Sequence, residues 1–305
     1  MIYIGLFILF ILFFIFGMTL LRTGLFNLSS HSLKIWLERL TDKPWKGMII
    51  SIIITAILQS SSAVMVLTIG LISARILTFP QSIGIILGTN IGTTLTTEFI
   101  TFNIDRFLLP LAIIGVLFIL VNKMKMRSIG FVLLGISIVF TTMRGFKYFA
   151  SILQHQAYIE HFLLYLADRT LLAVFVGIII TALIQSSTAT VGIIMGFLTA
   201  GMLPIETGIA VMLGSNIGTC ITSYLASVGA QREARLSAYA HIWLNIGGVA
   251  LFYPFIIPLK EIVEALTPIK DVQLAHASLL FNVITSLLVL PFAQTFGRWI
   301  MKIHK

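Results

Sequence analysis

The sequence predicts an all-α polytopic membrane protein built from two inverted-topology repeats, each with a re-entrant helical hairpin and an interrupted transmembrane helix. Three observations carry that prediction. Of the 305 residues, 58% are hydrophobic and only 10% are charged, against roughly 25% charged in soluble domains. A pair of polar motifs occurs twice at a constant offset of 126 residues. With the hairpins counted as re-entrant, each repeat keeps three full spans, and an odd number turns one half upside down relative to the other.

The first apolar run, Ile2 to Leu21, is long enough for a hydrocarbon core of about 30 Å. No basic segment precedes it and no small-residue cleavage site follows, so it is expected to be a retained span. Residues 30–46, with Trp36 and Trp45, read as an interfacial helix leading into a hairpin at 47–75. An interrupted helix is expected at 81–100, with spans at 107–122 and 128–146. Residues 155–169, with Tyr158 and Tyr165, read as a second interfacial helix before a hairpin at 170–201. A second interrupted helix at 206–228 and a span at 236–258 follow. The repeats thus occupy 1–126 and 127–258, and 259–305 adds one span at 273–295 and a short tail. All belong to one membrane domain.

Each hairpin has two apolar arms of about a dozen residues, and one arm reaches only about 18 Å. A helix that enters, turns at mid-depth and leaves again fits that length; a single long span with a polar centre is the alternative. Charge counting does not separate them. Either arrangement puts 14 Lys and Arg residues on one side and 6 on the other. Arg22, Lys34, Arg39 and Lys305 count on the richer side when the hairpins re-enter. The bias places the amino terminus outside and the carboxyl terminus in the cytoplasm of a plasma membrane. The net charge of +9 belongs to these short loops and not to a nucleic-acid surface. The single cysteine, Cys220, excludes an internal disulfide framework.

The duplicated motifs are specific. Thr55-Ala-Ile-Leu-Gln59-Ser60-Ser61-Ser62-Ala63 returns as Thr181-Ala-Leu-Ile-Gln185-Ser186-Ser187-Thr188-Ala189. Gly88-Thr-Asn90-Ile-Gly92-Thr93 returns as Gly214-Ser-Asn216-Ile-Gly218-Thr219 at the same interval. Ser62 and Thr188 are the expected caps of the returning hairpin arms, and the glycines are expected to let the backbone unwind. Four half-helix N-termini would then converge and attract an anion without any cationic side chain, since no motif contains Lys or Arg. Neutral Gln, Asn, Ser and Thr oxygens would hold sodium beside it. The absence of Asp and Glu from the motifs counts against a proton relay.

At these residues the chain resembles the sodium-dependent phosphate cotransporter family, the type II group with bacterial and animal members. His241-Ile-Trp-Leu-Asn245 is similar to the family's His-X-Phe-Phe-Asn span. The resemblance covers essentially the whole chain and implies sodium-coupled uptake of inorganic phosphate by a transporter, not an enzyme, with no cofactor beyond the coupling ion. It implies phosphate contacts at Ser60, Ser61, Ser62, Asn90, Ser186, Ser187, Thr188 and Asn216. It implies sodium contacts at Gln59, Thr93, Gln185 and Thr219. Three departures stand out. The first repeat lacks a His-Asp-Phe-Phe-Asn segment near Gly115 and Val116, which puts a further sodium site in doubt. The chain stops at Lys305, without the soluble helical domain that many bacterial relatives append. Ser278 stands where relatives often carry His, and His276 does not occupy that place.

Other anions, namely sulfate, arsenate or a small carboxylate, fit an N–H-lined site equally well, and a channel also uses re-entrant hairpins. An intramembrane hydrolase would need a base beside a motif serine, and only His241 offers one. His241 itself reads either as a cavity residue or as a neutral side chain bonded between helices. Glu98 is expected near the outer interface, and Lys123, Lys125 and Arg127 read as a topology signal. Oligomeric state is left open, with a homo-oligomer among the options.

Overall fold

The computed structural model describes residues 2–39, 41–154 and 156–304, without the side chains of residues 2, 4, 30–34, 38 and 39. Lys34, Arg39 and Lys305 of the charge count therefore lie outside the described side chains. Every regular element among the described residues is helical. Five stretches are long and apolar enough to cross a membrane: Gly5–Ser29, Met124–Leu153, Ile205–Ser227, Arg232–Leu266 and Lys270–Ile303. This is a multi-pass membrane protein. Its outer faces carry exposed apolar side chains such as Leu12, Phe16, Leu117, Leu183, Leu287 and Phe292, which water alone would not tolerate in such number.

Helix α1 (Ile2–Arg39) is continuous, so the first span and the start of the expected interfacial helix are one element. Between Leu21 and Arg39 the sequence offers only Gly24 as a breaker, and that glycine is used for close packing against Ser128 and Val132. Two short apolar helices follow, α2 (Pro44–Leu58) and α3 (Ser61–Ser73), then α4 (Phe79–Phe99). After a short turn come α5 (Leu108–Ile119) and α6 (Met124–Leu153). The span expected at 107–122 is thus a helix of 12 residues, about 18 Å long, because turns take up both of its ends.

Helix α7 (Ala157–Ala167) is separate and bends by 114° into α8 (Thr170–Ile184). It exposes Tyr158, Phe162 and Tyr165 and buries Leu163 and Leu166. Then come α9 (Ser187–Thr199), α10 (Ile205–Gly218) and α11 (Cys220–Ser227). Helices α12 (Arg232–Phe252) and α13 (Ile256–Leu266) form one span, as do α14 (Lys270–Val289) and α15 (Ala293–Ile303). Pro254 and Pro291 lie in the 3-10 turns that join each pair, where the missing N–H bends the helix without ending the span.

The interrupted helices are corrected. Helix α4 runs unbroken through Gly88–Gly92. In the second half the only irregularity is Thr219, whose backbone stays helical at φ −65° and ψ −20°. The glycines serve packing instead. A methyl on Gly84 would strike the Pro44 carbonyl, on Gly88 the Met48 carbonyl and Ser51, and on Gly92 the Thr55 side chain. These contacts advance in step, so α2 and α4 run parallel with their backbones touching. Gly214 meets the Val174 carbonyl and Gly218 the Ile178 carbonyl, so α8 and α10 repeat the arrangement.

The bounds of α8 and α9 are those of α2 and α3 shifted by 126 residues, at every end. The equivalent long helices, α1 and α6, pack antiparallel: Gly145 meets Phe10, Gly17 meets Ile138, and Gly24 meets Ser128. The largest buried cluster joins α1, α6, α8, α9, α10 and the last two spans, with Phe14, Phe146, Met195, Met212 and Phe281 at its centre.

Replacing Gly88 by Ala should lower the unfolding temperature in detergent, corresponding to at least about 2 kcal/mol of overpacking. Gly70→Ala, where nothing lies within 4 Å, should leave it unchanged or slightly raised. Equal unfolding temperatures for the two variants would contradict the backbone contact of α2 and α4.

Candidate functional site

The breaks between α2 and α3 and between α8 and α9 are made the same way. Gln59 and Gln185 adopt left-handed backbone angles, φ 52° and 55°, which end the first arm of each pair. A side chain in that region costs roughly 1 kcal/mol or more. Its recurrence at equivalent positions marks a geometry that the rest of the fold enforces. The following serine is extended and caps the second arm: the Ala63 N–H donates to Ser60 Oγ at 3.1 Å, and the Ala189 N–H donates to Ser186 Oγ at 3.2 Å. The caps are therefore Ser60 and Ser186, not Ser62 and Thr188. An N-cap must have extended angles while its oxygen reaches the third residue on, and only the residue directly after the left-handed turn meets that condition here.

Both breaks open onto one pocket. Ten of the residues singled out in the sequence line it: Gln59, Ser60, Ser61, Ser62, Thr93, Gln185, Ser186, Ser187, Thr188 and Thr219. Two do not. Asn90 turns away into a buried network, donating to Asn245 Oδ1 and facing His241 Nε2, both at 3.3 Å. Asn216 donates to the Met212 carbonyl at 2.9 Å. Each Asn lies three residues before a lining Thr on its helix, but its amide is taken up by these partners and does not line the pocket. The expected four N-termini reduce to two, those of α3 and α9.

One lining residue escaped the sequence reading. Arg22, assigned above to a loop, sits in the middle of α1 and lines the pocket. Its Nε donates to the Gln59 carbonyl at 2.9 Å, satisfying a backbone oxygen freed by the break. The signal for it was an arginine in an apolar stretch with no proline on either side. Under the 126-residue shift its counterpart is Tyr148, which is exposed, so the pocket has one cation and no twin. Helix α11 closes the pocket: Thr222 donates to Ser62 at 3.2 Å, while Ser223 bonds His241 Nδ1 at 2.9 Å. Gln59 Oε1 and Thr55 Oγ1, one turn apart, are buried and have no hydrogen-bond partner among the described residues.

The electrostatics follow from these parts. One guanidinium and two helix N-termini face a space into which no carboxylate of the described residues projects, a combination that favours an anion. The unpaired Gln and Thr oxygens suit a hard cation. His241 bonds Asn90 and Ser223 and does not line the pocket, so the serines have no adjacent base. The pocket has a cavity volume of only about 10 Å³, room for about one water. Glu98 is not simply solvated: its carboxylate meets His276 Nδ1 at 2.8 Å and links α4 to α14.

The fold and the pocket define a helical membrane protein with a polar, anion-favouring centre between two duplicated helix breaks. The sequence profile of the Na+/Pi-cotransporter family matches residues 13–148 and 151–275. The chain belongs to that family, which comprises transporters and not enzymes. It is 42% identical over 290 residues to "Uncharacterized protein YqeW" of Bacillus subtilis (strain 168), covering 95% of this chain and 94% of that one. It is 23% identical over 291 residues to "Putative inorganic phosphate export protein YjbB" of Salmonella typhimurium, covering 95% of this chain and 53% of that one. An 86-residue stretch, 27% of this chain and 14% of the other, is 37% identical to "Sodium-dependent phosphate transport protein 2A" of Ovis aries. The chain thus spans about half the length of the phosphate export relative. No solved structure matches it.

Gln185→Gly should leave the unfolding temperature unchanged or higher, because glycine takes φ 55° without cost. Gln185→Val should lower it by the equivalent of roughly 1–2 kcal/mol. A destabilised glycine variant would contradict the left-handed turn.

Proposed function

We propose that the protein couples the movement of inorganic phosphate across the plasma membrane to sodium. The observation that carries this reading is the single pocket in which both Gln-Ser-Ser breaks, Thr93, Thr219 and Arg22 meet. Phosphate sits between the two serine pairs, held by the α3 and α9 N-termini and by the Arg22 guanidinium, whose planar donors match a phosphate oxygen pair. Sodium binds first, at Gln59 and Gln185 with Thr93 and Thr219 nearby. The buried, unpaired Gln59 Oε1 supports a cation there. Sodium offsets the charge that one arginine leaves uncompensated on a phosphate dianion. A pocket with room for about one water admits the larger ion only when the breaks move apart, so the form described here is the closed one.

The architecture reads as inverted repeats with re-entrant hairpins. The antiparallel packing of α1 on α6 supports the inversion. Chain reach supports the hairpins. Helix α4 runs parallel to α2 from the same end, and only five residues separate α3 from α4. Five residues span at most about 18 Å, whereas an α3 that continued onward would finish about 40 Å from the start of α2. A returning α3 fits that reach. The amino terminus then lies outside and the carboxyl terminus in the cytoplasm, as the charge bias indicates.

Radiolabelled phosphate uptake into proteoliposomes should be saturable and faster with an inward sodium gradient than with an equal potassium gradient. Gln59→Ala, Gln185→Ala and Arg22→Ala should each lower that uptake by roughly tenfold or more, one charged or coordinating contact each. Wild-type rates in all three would sink the site assignment, and uptake indifferent to sodium would sink the coupling. A second reading, outward phosphate movement, is favoured by the name of the Salmonella relative. Loading vesicles with phosphate and reversing the sodium gradient separates the two directions.

A further inference from the structure

We propose that the cavity between the start of α12 and the end of α15 binds a phosphate group, at a site separate from the pocket at the helix breaks. This inference does not rest on the transport reading. The cavity measures about 140 Å³ and is lined by Arg232, Arg235, Leu236, Tyr239 and His304. It exceeds the volume of several water molecules, each about 30 Å³. Arg232 and Arg235 lie three residues apart on the first turn of α12, so both guanidinium groups leave the same face. Among the described residues neither meets a carboxylate.

The donors in this cavity remain available. Arg232 Nη2 makes two long bonds of 3.4 Å, to the Met301 and His304 carbonyls, which leaves most of its N–H groups free. The Arg235 side chain makes none among the described residues. His304 is held as a donor: Trp243 Nε1 donates to its Nε2 at 3.0 Å, which leaves the proton of the neutral ring on Nδ1. Its ring is fixed by stacking on Tyr239, centroid to centroid at 4.1 Å. No side chain caps the first turn of α12, so the positive end of that helix adds to the same field. Glu233 stands about 100° further round the helix. Two guanidinium groups kept side by side repel each other, and a bridging phosphate turns that repulsion into paired charge-assisted bonds.

Position narrows the source of the phosphate to two. Arg232 opens one membrane span and Ile303 closes another, so the cavity lies at the level where spans meet water. A phosphodiester in an anionic lipid headgroup and inorganic phosphate both reach that level and offer the same oxygens. The test uses the full chain, purified in detergent, as wild type, as Arg232→Gln with Arg235→Gln, and as Lys123→Gln with Lys125→Gln. Dioctanoylphosphatidylglycerol binding is followed by native mass spectrometry, and radiolabelled inorganic phosphate binding by equilibrium dialysis. The arginine variant should bind one of these ligands roughly tenfold more weakly or worse, with the lysine variant unchanged. Loss confined to the lipid assigns the site to a headgroup, and loss confined to the ion assigns it to free phosphate. The phosphate dialysis is repeated in the Arg22→Ala background, so that any binding at the helix breaks does not mask a loss at this cavity. Equal binding of both ligands by wild type and arginine variant overturns the proposal, as does an equal loss in the lysine variant. Should the double arginine variant misfold, Arg235→Gln alone is read by the same criteria.

Discussion

A helix broken among apolar helices leaves backbone groups that must find partners, and this architecture is arranged around two such breaks. At each one a glutamine takes left-handed angles, the next serine caps the start of the following helix, and a side chain or neighbouring helix covers what remains. In the first half Arg22 donates to the exposed carbonyl of Gln59. In the second half Thr181 and Thr190 bond each other across the two arms at 2.8 Å. The polar centre follows directly from this requirement. Groups that make a break tolerable are donors and acceptors held in fixed directions, and the same groups can hold ions.

Duplication supplies most of the centre, and departures from duplication supply its chemistry. The lining residues pair off between halves, apart from Arg22, whose counterpart Tyr148 faces outward. The buried network of Asn90, His241, Asn245, Ser223 and Cys220 also breaks the symmetry. It joins α4 of one half to α11 and α12 of the other. Such a network is satisfied only when the halves keep their present relation. It therefore belongs to the frame and not to the pocket.

Much of this was legible in the sequence, and the failures share a cause. The repeat, the helical class and ten of the lining residues follow from motif spacing, because residues around a helix break must face the same place in both copies. What spacing does not reveal is how glycine is used. Gly88 and Gly92 read equally well as points of unwinding and as points of backbone contact, and the deciding fact, the neighbouring α2, is not local. The assumption of unwinding carried Asn90 and Asn216 into the pocket with it. Arg22 was missed because the first span was ended at the first charge, whereas a helix without a breaker continues through one charged residue that finds a partner.

The glycine contacts also divide the molecule mechanically. Helix α2 is packed on α4, and α8 on α10, with backbone close to backbone and only the short side chains of Ser51, Thr55 and Thr181 among the nearest contacts. Each first arm and its partner must travel as a single piece. Helices α3 and α9 pack through longer side chains such as Met65, Ile69, Met195 and Leu198, which give more readily. The softer contacts of each pair thus lie at the glutamine turns and along the second arms, and the first arms form its stiffer part.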